Sequence, residues 1–294
     1  MFVSGGSEAV ESSMKLALQY HTGRGEKSRR RFISRQRSWH GNTLSAFAPS
    51  GVAAEDVAAH CAAELEDAIR EINSENVAAF VFEPVVGAAG GVVPAPPGYA
   101  AHIRDICDRH GVLMVADEVM GGSGRSGTFR ALEHDNLVPD IMPIVKGLAA
   151  GYIPLGAAVY SRKVGDVLRS VYGGAQTGHT FKGHTTACAA GVAVQRRIER
   201  ERLVEHVSAN GPKLISLLHE ALDGVASVGD IRGRGHFVGT EFVADAAHQG
   251  SVQPPQPSLP ESAAKVAAKW PHLLCVGRQC GWRGRRHDHH LSQV

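Results

Sequence analysis

The chain has 294 residues, 43% of them hydrophobic and 20% charged, which supplies a buried core and excludes a disordered chain. Lys and Arg number 31 against 29 Asp and Glu, and the net charge of +2 excludes a protein that holds nucleic acid by bulk charge. Five cysteines without regular spacing exclude a disulfide scaffold, and at roughly 150 residues per domain the length predicts about two domains.

Along the chain, residues Ser7 to Tyr20 are predicted as a helix, with Glu8 and Glu11 in the first turn, Val10, Met14, Ala17 and Leu18 on one face and Gly23 as the stop. Phe32-Ile33 is a short strand. Val77 to Phe82 is a continuous apolar run that stops at Glu83-Pro84, Tyr99 to His110 is helical, Leu113 to Ala116 ends at Asp117-Glu118, and Ile141 to Val145 ends at Lys146. Continuous apolar strands separated by helices predict an α/β fold, a mostly parallel sheet with helices on both faces. Ligands of such sheets sit outside the carboxyl ends of the strands, so Glu83, Asp117 and Lys146 are candidates for one shared site.

The second half differs. Thr186 to Glu201 and Leu203 to Leu222 are predicted helices. Val225 to Ile231 and Phe237 to Val243 are predicted strands around a turn at Arg232-Gly233-Arg234-Gly235, which suggests a smaller α+β unit. The division is a large domain over residues 1–185, the start of a small domain over 186–245, and a Pro-rich loop with a divergent basic tail over 246–294. The opening Met1-Phe2-Val3-Ser4-Gly5 has no basic start or apolar run of a signal peptide. The longest uncharged stretch, Pro84 to Ala101, is broken by glycines and prolines and cannot span a membrane. The expectation is a cytoplasmic protein with no membrane and no nucleic-acid partner.

Several residues carry possible chemistry. Lys146 follows an apolar strand and precedes small residues; partial desolvation there makes an amine a nucleophile for a carbonyl, and the plain alternative is a surface lysine before a glycine turn. Asp117 can hold a protonated ring nitrogen, bind a metal or cap the following turn. Gly6 and Ser7, in Ser-Gly-Gly-Ser-Glu-Ala, open a helix whose N–H groups and dipole favour a phosphate, with a Ser N-cap as the alternative. Trp39 can stack on a planar ring and His40 can bond a ring substituent, or Trp39 is a core aromatic. Cys275, Cys280, His287, His289 and His290 fit no structural-zinc spacing, so no metal is expected. Taken together, the parts suit a planar, phosphorylated, aldehyde-bearing pyridine, which is pyridoxal phosphate (PLP).

On these motifs the chain resembles the class-III PLP-dependent aminotransferases of fold type I. The matching stretches run in the family's order: Ser-Gly-Gly-Ser-Glu-Ala at 4–9, Trp-His-Gly at 39–41, Phe-Glu-Pro-Val at 82–85, Ala-Asp-Glu-Val at 116–119, Gly-Arg-Ser-Gly at 124–127 and Pro-Asp-Ile at 139–141. Lys-Gly-Leu at 146–148, Pro-Leu-Gly-Ala at 154–157, Gly-His-Thr-Phe at 178–181 and Arg-Gly-Arg-Gly at 232–235 complete the series. The resemblance implies an amino transfer from an amine or amino acid to a 2-oxo acid, with Lys146 forming the aldimine and shuttling a proton and Asp117 keeping the ring nitrogen protonated. It also implies that Val119 packs on the ring face opposite Trp39, that Glu83 lies near the cofactor, and that Thr180 reaches the phosphate of a neighbouring subunit in a homodimer. The Arg125–Gly127 turn is then structural. An aminomutase, racemase or decarboxylase on the same scaffold, or an inactive truncated relative, is the alternative. Family members carry a further region before the Ser-Gly-Gly motif and continue differently after the Arg-Gly-Arg-Gly motif. The chain therefore reads as truncated at its start, with residues 273–294 in another frame, and as poorly soluble and weakly active by itself.

Overall fold

The computed structural model describes residues 1–35, 38–40 and 58–242. Gly41, the Pro-rich stretch and the Cys/His tail lie outside the described residues.

The elements run β1 (Phe2–Val3), α1 (Gly6–Gly23), β2 (Arg31–Ser34), α2 (Ala58–Ile72), β3 (Val77–Phe82), β4 (Val85–Val86), β5 (Val93–Pro94) and α3 (Tyr99–His110). After these come β6 (Leu113–Ala116), β7 (Ile141–Ile144), β8 (Gly156–Tyr160), α4 (Arg162–Tyr172), α5 (Thr185–Arg200), α6 (Leu203–Leu222), β9 (Val228–Arg234) and β10 (Phe237–Phe242). The main sheet has the order β1-β8-β7-β6-β3-β2. Strands β2, β3, β6 and β7 are mutually parallel, β8 is antiparallel to β7, and β1 is antiparallel to β8.

The apolar run of β3 explains the layering. Successive side chains of a strand point to opposite faces. Phe80 and Phe82 join Met114, Ala116 and the apolar faces of α2 and α3 in one cluster. Ala79 and Val81 join Val115, Ile141 and the faces of α1 and α4 in the other. Every residue of β3 is buried, as expected for a strand covered on both sides. Full burial of each large side chain contributes about 1.5–3 kcal/mol. Asp140 ties the layers together: its Oδ2 accepts from the Met114 N–H at 2.9 Å and from Arg104 Nη1 of α3 at 2.8 Å.

Several expectations are adjusted. Helix α1 starts at Gly6 with Gly5 as N-cap and no side-chain cap, so no serine caps it, and its buried face takes Leu16 where Leu18 was predicted. The turn predicted over residues 232–235 is shorter. Arg234 pairs with Phe237, so β9 runs through Arg234 and only Gly235-His236 form the loop. Gly235 has φ +61, the backbone that a two-residue hairpin loop uses to match strand twist. Helices α2 and α4 and strand β8 were not predicted. Among the described residues no helix is long and apolar enough to cross a membrane.

Candidate active site

Strands β1, β2, β3, β6 and β7 all point the same way, so the segments that follow them meet at one edge of the sheet. Those segments are Ser4-Gly5-Gly6, Arg35 with Ser38–His40, Glu83, Asp117–Val119, and Val145-Lys146.

Asp117 lies at the centre of this edge and is buried. Its Oδ1 accepts from the Val119 N–H at 3.0 Å and its Oδ2 accepts from His40 Nδ1 at 2.7 Å. It therefore caps the following turn and also pairs with His40. His40 uses one ring nitrogen on Asp117 and keeps the other unpartnered. The loop after β2 crosses the end of β3 and delivers the imidazole to Asp117, and the buried Nε2 has no partner. Glu83 fixes the same loop: Oε1 accepts from the Trp39 N–H at 3.0 Å and Oε2 accepts from the Gly87 N–H at 3.0 Å. Arg35 donates to the Glu83 carbonyl and lies over the Phe82 and Tyr99 rings, 5.5 and 5.3 Å from their centroids. Trp39 is not a core aromatic, since 45% of it is exposed.

Val119 is half-buried beside Gly6; a Cβ on Gly6 would stand 3.2 Å from Val119 Cγ1, a tight contact that would press on that side chain. Ser7 sits in the first turn of α1, where Glu8 Oε2 accepts from the Ser4 N–H at 2.9 Å. Thr180 is exposed. Its neighbour His179 faces Ser12 Oγ at 3.5 Å and Glu8 Oε1 at 3.9 Å, which brings the 178–181 motif to the start of α1.

Lys146 lies just beyond the end of β7. Of the two readings the sequence left open, the partly desolvated amine and the surface lysine before a glycine turn, the structure shows the second in exposure: Lys146 is exposed. It opens a single 3₁₀ turn, Lys146–Ala149, with φ +35, and this turn leaves the lysine at the rim of the edge while Ala149 packs inward. A non-glycine residue held there costs about 1–3 kcal/mol, and such strain concentrates at functional sites.

Sequence reasoning missed two residues. Arg35 had no signal in the sequence. Glu118 had one, as the second carboxylate after β6. It is fully buried, and its oxygens accept from the Ala131 and Leu132 N–H groups, each at 3.0 Å.

Burial, and then the negative charge of Asp117, push the Glu83 carboxyl up to about 7 against the two N–H groups that favour its anion. Burial likewise pushes Glu118 up to about 7. A carboxyl with a raised folded-state pKa binds more protons folded than unfolded between about pH 4.3 and 7, so its contribution to stability is lost as pH rises through that window. The stability advantage of the wild-type chain over Glu83→Gln is therefore expected to shrink between pH 5 and 7. Urea midpoints of the two chains across that range check this; a pH-independent difference would contradict it.

The donor set fits PLP. It offers a buried carboxylate for a pyridinium, an exposed indole for a ring face, a helix N-terminus for a phosphate and a rim amine for an aldehyde.

Comparison with known proteins points the same way. The sequence model of the family described as aminotransferase class-III matches residues 49–269. A protein named aminotransferase from Gibberella zeae is 39% identical over 274 residues, covering 82% of this chain and 54% of that protein. The uncharacterized aminotransferase YodT of Bacillus subtilis is 35% identical, covering 91% of this chain and 66% of its own length. A crystal structure of an amine transaminase from an uncultivated Pseudomonas species, in its PLP-bound form, superposes with a TM-score of 0.80 at 34% identity, covering 86% of this chain and 64% of that one. The chain thus spans between about half and two thirds of the length of these relatives.

Proposed function

We propose that this chain, which belongs to the class-III aminotransferase family and has its fold type I architecture, binds PLP at the sheet edge and moves an amino group from an amine or amino acid to a 2-oxo acid. The observation that carries the reading is the buried Asp117, held by the Val119 N–H and His40 at the point where five strand ends converge.

When bound, PLP supplies an electron sink for the carbanion formed at the substrate Cα. The chain supplies the rest. Asp117 places a carboxylate against the ring nitrogen, and this charge-assisted bond favours its protonated form. His40 holds Asp117 in orientation. Trp39 covers one ring face and excludes water, and Val119 covers the other. Gly6 and Ser7, at the positive end of α1, face the phosphate. Lys146 Nζ would be the amine that holds the cofactor's aldehyde group, and it would take the proton at the substrate Cα. Glu83 keeps Trp39 in place through its backbone N–H. Thr180 serves a partner subunit's phosphate in a cytoplasmic homodimer.

The test is a single half-reaction. The PLP-loaded chain is mixed with an amine donor without any acceptor, and oxo product is measured. An aminotransferase releases about one oxo product per bound PLP and then stops. Absence of oxo product with racemised, rearranged or decarboxylated substrate would replace the reading by one of those activities.

A further inference from the structure

The loop over residues 119–130 follows the end of β6 and leads into a 3₁₀ turn, Ala131–Asp135. Its two ends are joined by one side chain, since the Glu118 Oε2 and Oε1 accept from the Ala131 and Leu132 N–H groups, each at 3.0 Å. Inside the loop, Gly122 N–H donates to the Glu118 carbonyl at 3.1 Å and Ser126 Oγ donates to the Gly121 carbonyl at 3.0 Å. The loop touches three places at once. Val119 contacts Gly6 at the candidate phosphate end. The Arg125 carbonyl accepts from the His236 N–H at 3.0 Å, which docks the β9–β10 hairpin. Ser123 lies against the residue that follows Lys146. A Cβ built on Gly147 would stand 2.7 Å from Ser123 Cβ, so glycine is required at 147 for this approach.

The backbone of Lys146 has φ +35, a conformation that persists only where the surroundings enforce it. Ser123, itself at φ +57, is the neighbour that closes over that turn.

We propose that Glu118 is a positioning residue for Lys146: its carboxylate closes the 119–130 loop, and the closed loop holds Ser123 against Gly147 and so sets the turn that presents the lysine amine. The inference rests on the reading of Lys146 as the residue that binds PLP. Its effect is transmitted through backbone placement, because the carboxylate of Glu118 is committed to two N–H groups and faces the loop.

The test uses PLP itself, titrated into the chain and followed by its visible absorbance, with the affinity and the pH midpoint of the lysine-bound band as readouts. Glu118→Gln keeps the shape but sets an amide N–H against one of the two backbone donors. Losing one of the two bonds that close the loop is expected to lower PLP affinity at least about tenfold. The pH midpoint of the band is expected to shift. Gly147→Ala, which pushes on the same contact from the other side, is expected to act likewise. Adding Ser123→Gly to Gly147→Ala removes the obstructing Cβ and is expected to restore both readouts. This pair keeps the test decisive even if Glu118→Gln fails to fold. Wild-type affinity and midpoint in a folded Glu118→Gln chain, or failure of Ser123→Gly to rescue Gly147→Ala, would overturn the inference. A wild-type chain that binds PLP at a residue other than Lys146 would overturn the functional reading on which the inference stands.

Discussion

Lys146→Ala is expected to abolish covalent retention of PLP and to lower amino transfer by at least about 10³-fold, within the range spanned by loss of a positioned acid–base group. The fold should persist, because Lys146 is exposed. Lys146→Gly separates function from stability more sharply. With φ +35, glycine relieves a strain that alanine keeps, so the glycine variant should be equally inactive yet more stable than the alanine variant by about 1 kcal/mol. Urea midpoints of the three chains and the retention of PLP through gel filtration check both statements. An alanine variant that retains PLP and turns over would remove Lys146 from the mechanism.

Asp117→Asn should have the second largest effect. Asparagine can accept from the Val119 N–H through its oxygen and face His40 Nδ1 through its amide, so the local fold survives with the imidazole in its other tautomer. What disappears is the negative charge opposite the ring nitrogen. Removal of an electrostatic partner of this kind costs about 10²–10³-fold in rate, and a two-proton-state partner such as the pyridinium also loses its preference for the charged form. The variant is expected to bind PLP and to lose at least about 10²-fold in proton removal from the substrate Cα. Steady-state rates with a deuterated amine donor measure this. Near-normal turnover would mean that the ring nitrogen is held by another group.

Much of this edge could be read from the sequence because each strand ends on a charged or small residue. β3 stops at Glu83, β6 at Asp117 and β7 just before Lys146, and the apolar runs between them have the continuity of strands buried on both faces. The ordered motifs supplied the ligand class. Pairings between distant segments were not legible. His40 and Asp117 are 77 residues apart, and only the neighbouring of β2, β3 and β6 brings them to 2.7 Å. The sequence left Lys146 open between a partly desolvated amine and a surface lysine, since burial depends on what covers the rim and not on the lysine's own neighbours in the chain. Strand β8 was missed because Pro154 and Gly156 break its local pattern; its place between β7 and β1 comes from tertiary pairing. Glu118 looked like a spare carboxylate beside Asp117, and its role follows from two N–H groups thirteen and fourteen residues away.

The claim at the centre of this account is that Lys146, at the carboxyl edge of the sheet, is the residue that binds PLP. Borohydride reduction of the PLP-treated chain followed by peptide mapping tests it most directly. The account predicts a single stable pyridoxyl label on Lys146, lost in Lys146→Ala. A label carried by Lys163 or Lys182, with Lys146 unmodified, would contradict it.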